Sequence, residues 1–231
     1  MIRECIILAG GLGTRLRTAV PDLPKCMAPV NGKPFISYIL NYLQLQGVNN
    51  FIFALGYKHE FFNTVLDALP PTIKYKLSTE QEPLGTGGAI KLACSKALSE
   101  NILVINGDTL FNIDAQKISS FHLHNEADCT LCLKPMQNFD RYGVVELEEN
   151  NIVKSFKEKQ FYKKGLINGG VYALNTKQFL SEDLPSKFSF EKDYLEKYVS
   201  CRKIFGLQQD GYFIDIGIPE DYERAQQDLG K

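Results

Sequence analysis

Cys5-Ile6-Ile7-Leu8-Ala9-Gly10-Gly11-Leu12-Gly13-Thr14-Arg15-Leu16 is the stretch from which the fold is read. A short apolar run passes straight into glycines. A run of this length reads as a buried strand, and glycines at its end allow a tight turn with exposed amide groups. Working outward, Ile36, Ile39, Leu40 and Leu43 fall at helical spacing, and Gly47 closes that helix. Phe51 to Leu55 is a second strand, followed by a helix over about 58–69. Ile73 to Leu77 is a third strand, and Gly85 to Leu98 reads as helical. Ile102 to Ile105 is a fourth strand, broken by Asn106-Gly107-Asp108. This alternation predicts an α/β fold, Rossmann-like, with a mixed but mostly parallel central sheet and helices on both faces.

After residue 128 the rhythm changes. Strand-like pieces at 129–134, 143–148, 152–156, 167–174 and 202–208 follow with few long helices between them. The sheet is expected to gain an antiparallel portion here, lying over the mouth of the first half. A helix from Pro219, a favoured first-turn residue, closes the chain. No internal repeat, low-complexity tract or linker interrupts it, so residues 1–231 are expected to form one domain.

Composition narrows the function classes. With 44% hydrophobic and 23% charged residues the chain reads as globular rather than disordered. Its 26 basic and 27 acidic residues leave a net charge of −1, so no overall field favours nucleic acid or an anionic membrane. Locally, residues 1–33 carry Arg3, Arg15, Arg17, Lys25 and Lys33 against Glu4 and Asp22. No signal peptide or membrane-spanning run is present. The six cysteines are scattered without the density of a disulfide scaffold. A cytoplasmic location with reduced thiols is expected.

The glycine loop is a candidate anion site. Backbone amides from Leu8, Ala9, Gly10, Gly11, Gly13 and Thr14 can approach phosphate oxygens, and Arg15 supplies a fixed fork of donors. The plain alternative is a tight turn with an incidental arginine. A Walker loop is excluded because no G-x-x-x-x-G-K-[ST] string occurs. A dinucleotide fingerprint needs glycine where Leu16 stands and an acidic strand end about 20 residues on. The chain offers instead Pro24-Lys25-Cys26-Met27-Ala28-Pro29-Val30.

LAGGLGTRL followed by PKCMAPV resembles the signature of the sugar-phosphate nucleotidyltransferases, the nucleotide-sugar pyrophosphorylases. EPLGTGGA at 82–89, NGDTLF at 106–111, YGVVE at 142–146, INGGVY at 167–172 and FIDIGIPEDY at 213–222 match in the family's order. Within the family the chain is most similar to the branch that makes GDP-heptose. Cys26, where proline is frequent, and Ile218, where threonine is usual, depart from the pattern. The hexapeptide-repeat β-helix domain of some members is not expected.

The resemblance implies attack of a sugar 1-phosphate on the α-phosphorus of a nucleoside triphosphate, with Mg²⁺ as cofactor. Arg15 and Lys25 are then the catalytic cations, Arg15 on the triphosphate and Lys25 at the α-phosphoryl group. Asp108 lies at the carboxyl edge of its strand and Asp215 among apolar neighbours. They become the metal ligands, since two carboxylates with phosphate oxygens and water suit Mg²⁺. The alternative makes Asp108 a turn former and Asp215 a cap. Glu80 occupies a position that resembles glutamine in uridine- and thymidine-specific members. A carboxylate only accepts, which suits the adjacent N1–H and N2 amino group of guanine and so favours GTP. A solvated acid in the run 78–82 is the other reading. Gly85, Thr86 and Gly88 would let backbone approach the base and ribose. Gly143, Glu158, Asn168 and Gly169 match positions near the sugar, D-glycero-α-D-manno-heptose 1-phosphate being the expected one. The same chemistry with mannose or glucose 1-phosphate, or with dTTP, UTP or CTP, remains an alternative. So does a non-catalytic nucleotide-sugar sensor, and homo-oligomerisation stays open.

Other features carry no function here. Cys129 and Cys132 are three apart in a strand and so point to opposite faces. His122 and His124, two apart in a helix, make poor metal partners, and Phe61, Phe62 and Leu66 read as core.

Overall fold

A computed structural model of the chain describes residues 1–11, 20, 23–56 and 59–230. The elements in the first half are β1 (Glu4–Leu8), β2 (Pro29–Val30), β3 (Lys33–Pro34), α1 (Phe35–Leu45), β4 (Asn50–Leu55), α2 (Asn63–Asp67), β5 (Lys74–Thr79), α3 (Gly85–Cys94) and β6 (Asn101–Asn106). There follow β7 (Thr109–Phe111), α4 (Ala115–His124), β8 (Cys129–Phe139), β9 (Val144–Leu147), β10 (Val153–Lys157), β11 (Tyr162–Asn175), α5 (Thr176–Leu180), β12 (Ile204–Gln208), β13 (Phe213–Asp215) and α6 (Pro219–Asp228). Short 3₁₀ turns at Lys25–Met27 and His59–Phe62 and a π-helical turn at Phe190–Glu196 complete the functional picture.

Strands β6, β1, β4 and β5 lie side by side and parallel. Their side chains alternate cleanly between two cores. Cys5, Ile7, Phe51, Phe53, Leu103 and Ile105 face one side, with α1, α4 and α6 packed over them. Ile6, Ile52, Ala54, Ile102 and Val104 face the other, covered by α3, α5 and the π turn. Strands buried on both faces read as continuous apolar runs, which is why 5–9 and 51–55 stand out in the sequence. The second half extends the same sheet through β11, antiparallel to β6, and then β8 and β9. β12 pairs with β8 and β10 with β9, giving nine strands in one sheet among the described residues. The expected antiparallel extension is therefore present.

Boundaries differ where local chemistry is stronger than periodicity. The helix expected over about 58–69 is a 3₁₀ turn leading into the short α2. Helix α3 stops at Cys94 rather than at residue 98, with Lys96 and Ala97 closing turns onto Ala93 and Cys94. β8 and β11 run beyond their apolar segments as a half-buried ribbon, pairing Tyr162 with Phe139. Cys129 and Cys132 do point into opposite cores, and both are free thiols. Phe62 and Leu66 are buried and Phe61 packs against the same core. His122 is buried between Thr130 and Asn101, whereas His124 is exposed. No helix among the described residues is long and apolar enough to cross a membrane.

Candidate active site

The register of the parallel strands sets Leu8 beside Ala54 and Asn106, and Leu55 beside Thr79. The loops that leave β1, β4, β5 and β6 therefore emerge along one edge. β1 continues to β4 on one side while β6 returns on the other, a switch of direction that opens a crevice between their ends. The crevice is kept narrow by backbone contact. The Gly107 amide donates to the Leu8 carbonyl at 2.9 Å, and a Cβ on Gly107 would lie 2.7 Å from that oxygen.

Lys25 enters this crevice from its 3₁₀ turn, between Pro24 and Pro29. Its Nζ donates to Asp108 Oδ2 at 2.7 Å, and the lysine side chain is only 14% exposed. Asp215 arrives from far along the sequence through the short β7–β13 ladder, where it pairs with Thr109. The Ile216 amide donates to the Asp108 carbonyl at 3.0 Å and closes the same ladder. Asp215 Oδ1 accepts from the Gly217 amide at 2.8 Å, and Oδ2 accepts from the Tyr142 hydroxyl at 3.5 Å. Burial, and then the Asp108 charge, raise the Asp215 carboxyl above the usual range, with Lys25 opposing. Lys25 thus pairs with Asp108 while its charge, and that of Arg141, also reaches Asp215. As hard oxygen donors the two carboxylates fit Mg²⁺. No group of three or more His, Cys, Asp or Glu is gathered for a metal among the described residues, so any ion would complete its shell with substrate oxygens and water.

Two cavities adjoin at this point, both lined by Lys25, Asn106 and Asp108. One, about 490 Å³, is bounded by Leu8, Ala9, Gly10, Gly11, Glu80, Gly85 and Thr86. Glu80 Oε2 accepts from the Leu84 amide at 2.9 Å, and burial raises its carboxyl above the ordinary range. Gly85 has φ +73°, and a Cβ there would lie 2.6 Å from the Phe188 carbonyl. Gly88 does not line the cavity; its missing side chain makes room for the Ser186 carbonyl behind α3. The other cavity, about 440 Å³, includes Gly143, Glu158, Asn168 and Gly169 with Asp215. Gly143 abuts the Lys157 carbonyl and Gly169 lies under the Phe111 ring. Asn168 Nδ2 donates to the Tyr172 hydroxyl at 2.8 Å while its Oδ1 accepts from the Gly170 amide at 3.1 Å. Glu158 sits on the exposed rim.

Of the expected residues that are described, all but Gly88 line these two cavities. Arg15, Gly13 and Thr14 lie outside the described residues. Asn106, Tyr142 and Glu191 line the site without having been singled out. Asn106 and Tyr142 fall inside the motifs NGDTLF and YGVVE, so their signal was present. Glu191 falls in none of them.

Comparison with known proteins identifies the relatives of this chain. A family model for Nucleotidyl transferase matches residues 4–231. The chain is 51% identical to the D-glycero-alpha-D-manno-heptose 1-phosphate guanylyltransferase of Aneurinibacillus thermoaerophilus, over 98% of both chains. It is 48% identical to the protein of the same name from Campylobacter jejuni, over 95% of this chain and 96% of that one. Its structure resembles that of HddC from Yersinia pseudotuberculosis complexed with GMP-PN, with a TM-score of 0.89, 38% identity and coverage of 99% and 100%.

Proposed function

The chain belongs to the nucleotidyl transferase family, and we propose that it transfers GMP from GTP to D-glycero-α-D-manno-heptose 1-phosphate, forming a GDP-sugar and pyrophosphate. The observation that carries this reading is the meeting of two substrate-sized cavities at Lys25 and Asp108. A transferase that joins two phosphorylated substrates needs such a junction, and a binding protein for one ligand does not. The nucleotide and sugar follow the relatives that share half of the sequence over nearly the full chain.

The sugar phosphate loses its second proton near pH ~6, so at neutral pH its oxygen is already a nucleophile and needs no strong base. A new bond forms from that oxygen to the α-phosphorus, and the bond to the bridging β-phosphate oxygen breaks. The work left to the protein is to hold two polyanions in line and to neutralise charge as it moves onto pyrophosphate. Lys25, fixed by Asp108, is placed between the cavities to contact the α-phosphoryl oxygens and the incoming phosphate. Arg15 is assigned to the triphosphate, with the amides of residues 8–14. Asp108 and Asp215 would hold Mg²⁺, which when bound supplies positive charge to phosphate oxygens.

Glu80 selects the base. One of its lone-pair sites is occupied by the Leu84 amide, leaving acceptors for guanine N1–H and the N2 amino group. Gly143, Asn168, Gly169 and Glu158 bound the sugar. We further propose that the described residues act as one nucleotidyltransferase domain and that the protein works in the cytoplasm, where GTP is available and thiols stay reduced.

The deciding experiment is a pyrophosphate-release screen of GTP, ATP, CTP, UTP and dTTP against heptose, mannose and glucose 1-phosphates, with and without magnesium. Magnesium-dependent release with GTP and the heptose phosphate is expected. Release with another nucleotide at higher kcat/KM would overturn the assignment of the base.

A further inference from the structure

Glu191 belongs to none of the sequence motifs, yet it lines the sugar-side cavity. It is carried by the π-helical turn Phe190–Glu196. Such turns are rare and recur at functional sites, because the widened turn re-aims side chains. Here the turn is anchored by aromatic packing. Phe190 stacks on Tyr194 at 5.3 Å between ring centroids, and edge contacts join Phe190 to Tyr172 at 5.1 Å and Phe179 to Tyr194 at 4.9 Å. Phe190 and Tyr194 are buried, while Glu191, between them in sequence, is turned to the cavity wall.

Two hydroxyls orient the carboxylate. Thr86 Oγ1 and Ser189 Oγ each donate to Glu191 Oε2, at 3.4 Å. Thr86 Oγ1 also accepts from the Phe190 amide at 2.9 Å, which fixes its rotamer. Glu191 takes part in none of the ion pairs among the described residues, so its charge is balanced by no partner there. Tyr172 stands beside it: its phenol is kept neutral by burial and by the Glu191 charge, and it holds the Asn168 amide. With Nδ2 given to Tyr172 and Oδ1 to Gly170, Asn168 keeps one N–H for a ligand. This wall offers a fixed acceptor beside a fixed donor. Such a pair suits the hydroxyls of a neutral ring.

We propose that Glu191 is a sugar-recognising residue, whose carboxylate accepts hydrogen bonds from hydroxyls of the sugar 1-phosphate. This rests on the reaction assigned above. It orients the substrate, with phosphate toward Lys25 and hydroxyls toward the π turn. Because Thr86 also lines the nucleotide cavity, the same carboxylate touches the wall shared by both substrates.

The test compares wild type with Glu191→Gln, which keeps shape but loses charge and one acceptor. Steady-state kinetics should give a KM for the heptose phosphate at least 10-fold higher, with the KM for GTP within twofold and an unchanged melting temperature. Among monodeoxy analogues of the sugar phosphate, at least one should be used equally well by both proteins, since it lacks the hydroxyl that Glu191 receives. Calorimetric binding of heptose 1-phosphate and mannose 1-phosphate, with a non-hydrolysable GTP analogue present, reads Glu191 without turnover. Weaker sugar binding by Glu191→Gln combined with no turnover in wild type would sink the reaction and keep Glu191. Sugar binding within twofold of wild type would overturn the proposal, as would an equal loss toward GTP, which would make Glu191 only a support for Thr86.

Discussion

Lys25 and Asp108 illustrate how a motif residue acquires its chemistry. A lysine on an open loop is solvated and mobile; here Nζ is held 2.7 Å from a carboxylate, at a point reached by both cavities. Replacing Lys25 with methionine keeps the stem and removes the charge. We expect kcat to fall by roughly 10²- to 10³-fold, the loss of one preorganised electrostatic donor. A change confined to the KM of the sugar phosphate would show that Lys25 binds and does not assist the transfer. Glu80 is tested by selectivity. Glu80→Gln should lower kcat/KM for GTP and relax discrimination against UTP and dTTP, which in wild type should exceed about 10²-fold because mismatched buried polar groups are left unpaired. Unchanged nucleotide preference in the variant would return Glu80 to the role of a solvated acid. At this scale the sequence is most informative where residue type and chemistry coincide, as for Lys25, Asp108 and Asp215. It is silent on Glu191, whose position depends on the phase of a π turn and on aromatic rings gathered from distant segments. Gly88 lies off the cavity lining, where its missing side chain leaves room for the Ser186 carbonyl.

The elements place these residues through a few unforgiving contacts. Gly85 starts α3 with a positive φ, and Phe188 is pressed against it. Alanine at this position meets both the left-handed backbone penalty of roughly 1–2 kcal/mol and the Phe188 carbonyl. We expect Gly85→Ala to lower the melting temperature and to weaken GTP binding together. A stability loss with normal GTP affinity would separate α3 from the nucleotide wall. Helix α4 is clamped by His122, whose Nδ1 lies 2.9 Å from Thr130 Oγ1 on β8 and Nε2 3.0 Å from Asn101 Oδ1 on β6. Burial lowers its pKa from 6.5 to about 4, so the fold binds the neutral ring. The stability this confers is present above the unfolded value and is lost as pH falls from about 6.5 toward about 4, at about 1 kcal/mol per pH unit. Denaturant titrations should show a shallower pH slope in that window for His122→Gln; parallel slopes would mean the ring protonates freely. The doubly buried strands were legible as apolar runs because burial on both faces leaves no alternative pattern. The half-buried β8–β11 ribbon was underestimated, since its lysines, asparagine and glutamine leave little apolar alternation to read.

Across the whole molecule, one sheet carries the elements that line both cavities, and the proposed reaction is assigned to the seam where they meet at Lys25 and Asp108. The parallel order of the first half was legible from alternating strands and helices. The seam was not, because it depends on the ladder pairing Asp215 with Thr109 and on β11 crossing back antiparallel to β6. Asp215→Asn leaves that ladder's backbone intact and removes one of two carboxylates, so it should reduce kcat by on the order of 10²-fold or more even at saturating magnesium. Near-normal turnover would make Asp215 a structural cap. The most direct measurement of the central claim follows the phosphorus atoms. With GTP, magnesium and heptose 1-phosphate, phosphorus NMR should record one pyrophosphate and one GDP-sugar for each sugar phosphate consumed, with both signals growing roughly 10²- to 10³-fold more slowly in the Lys25→Met variant. Release of inorganic phosphate in place of pyrophosphate, or GTP left intact beside the sugar phosphate, would contradict the account.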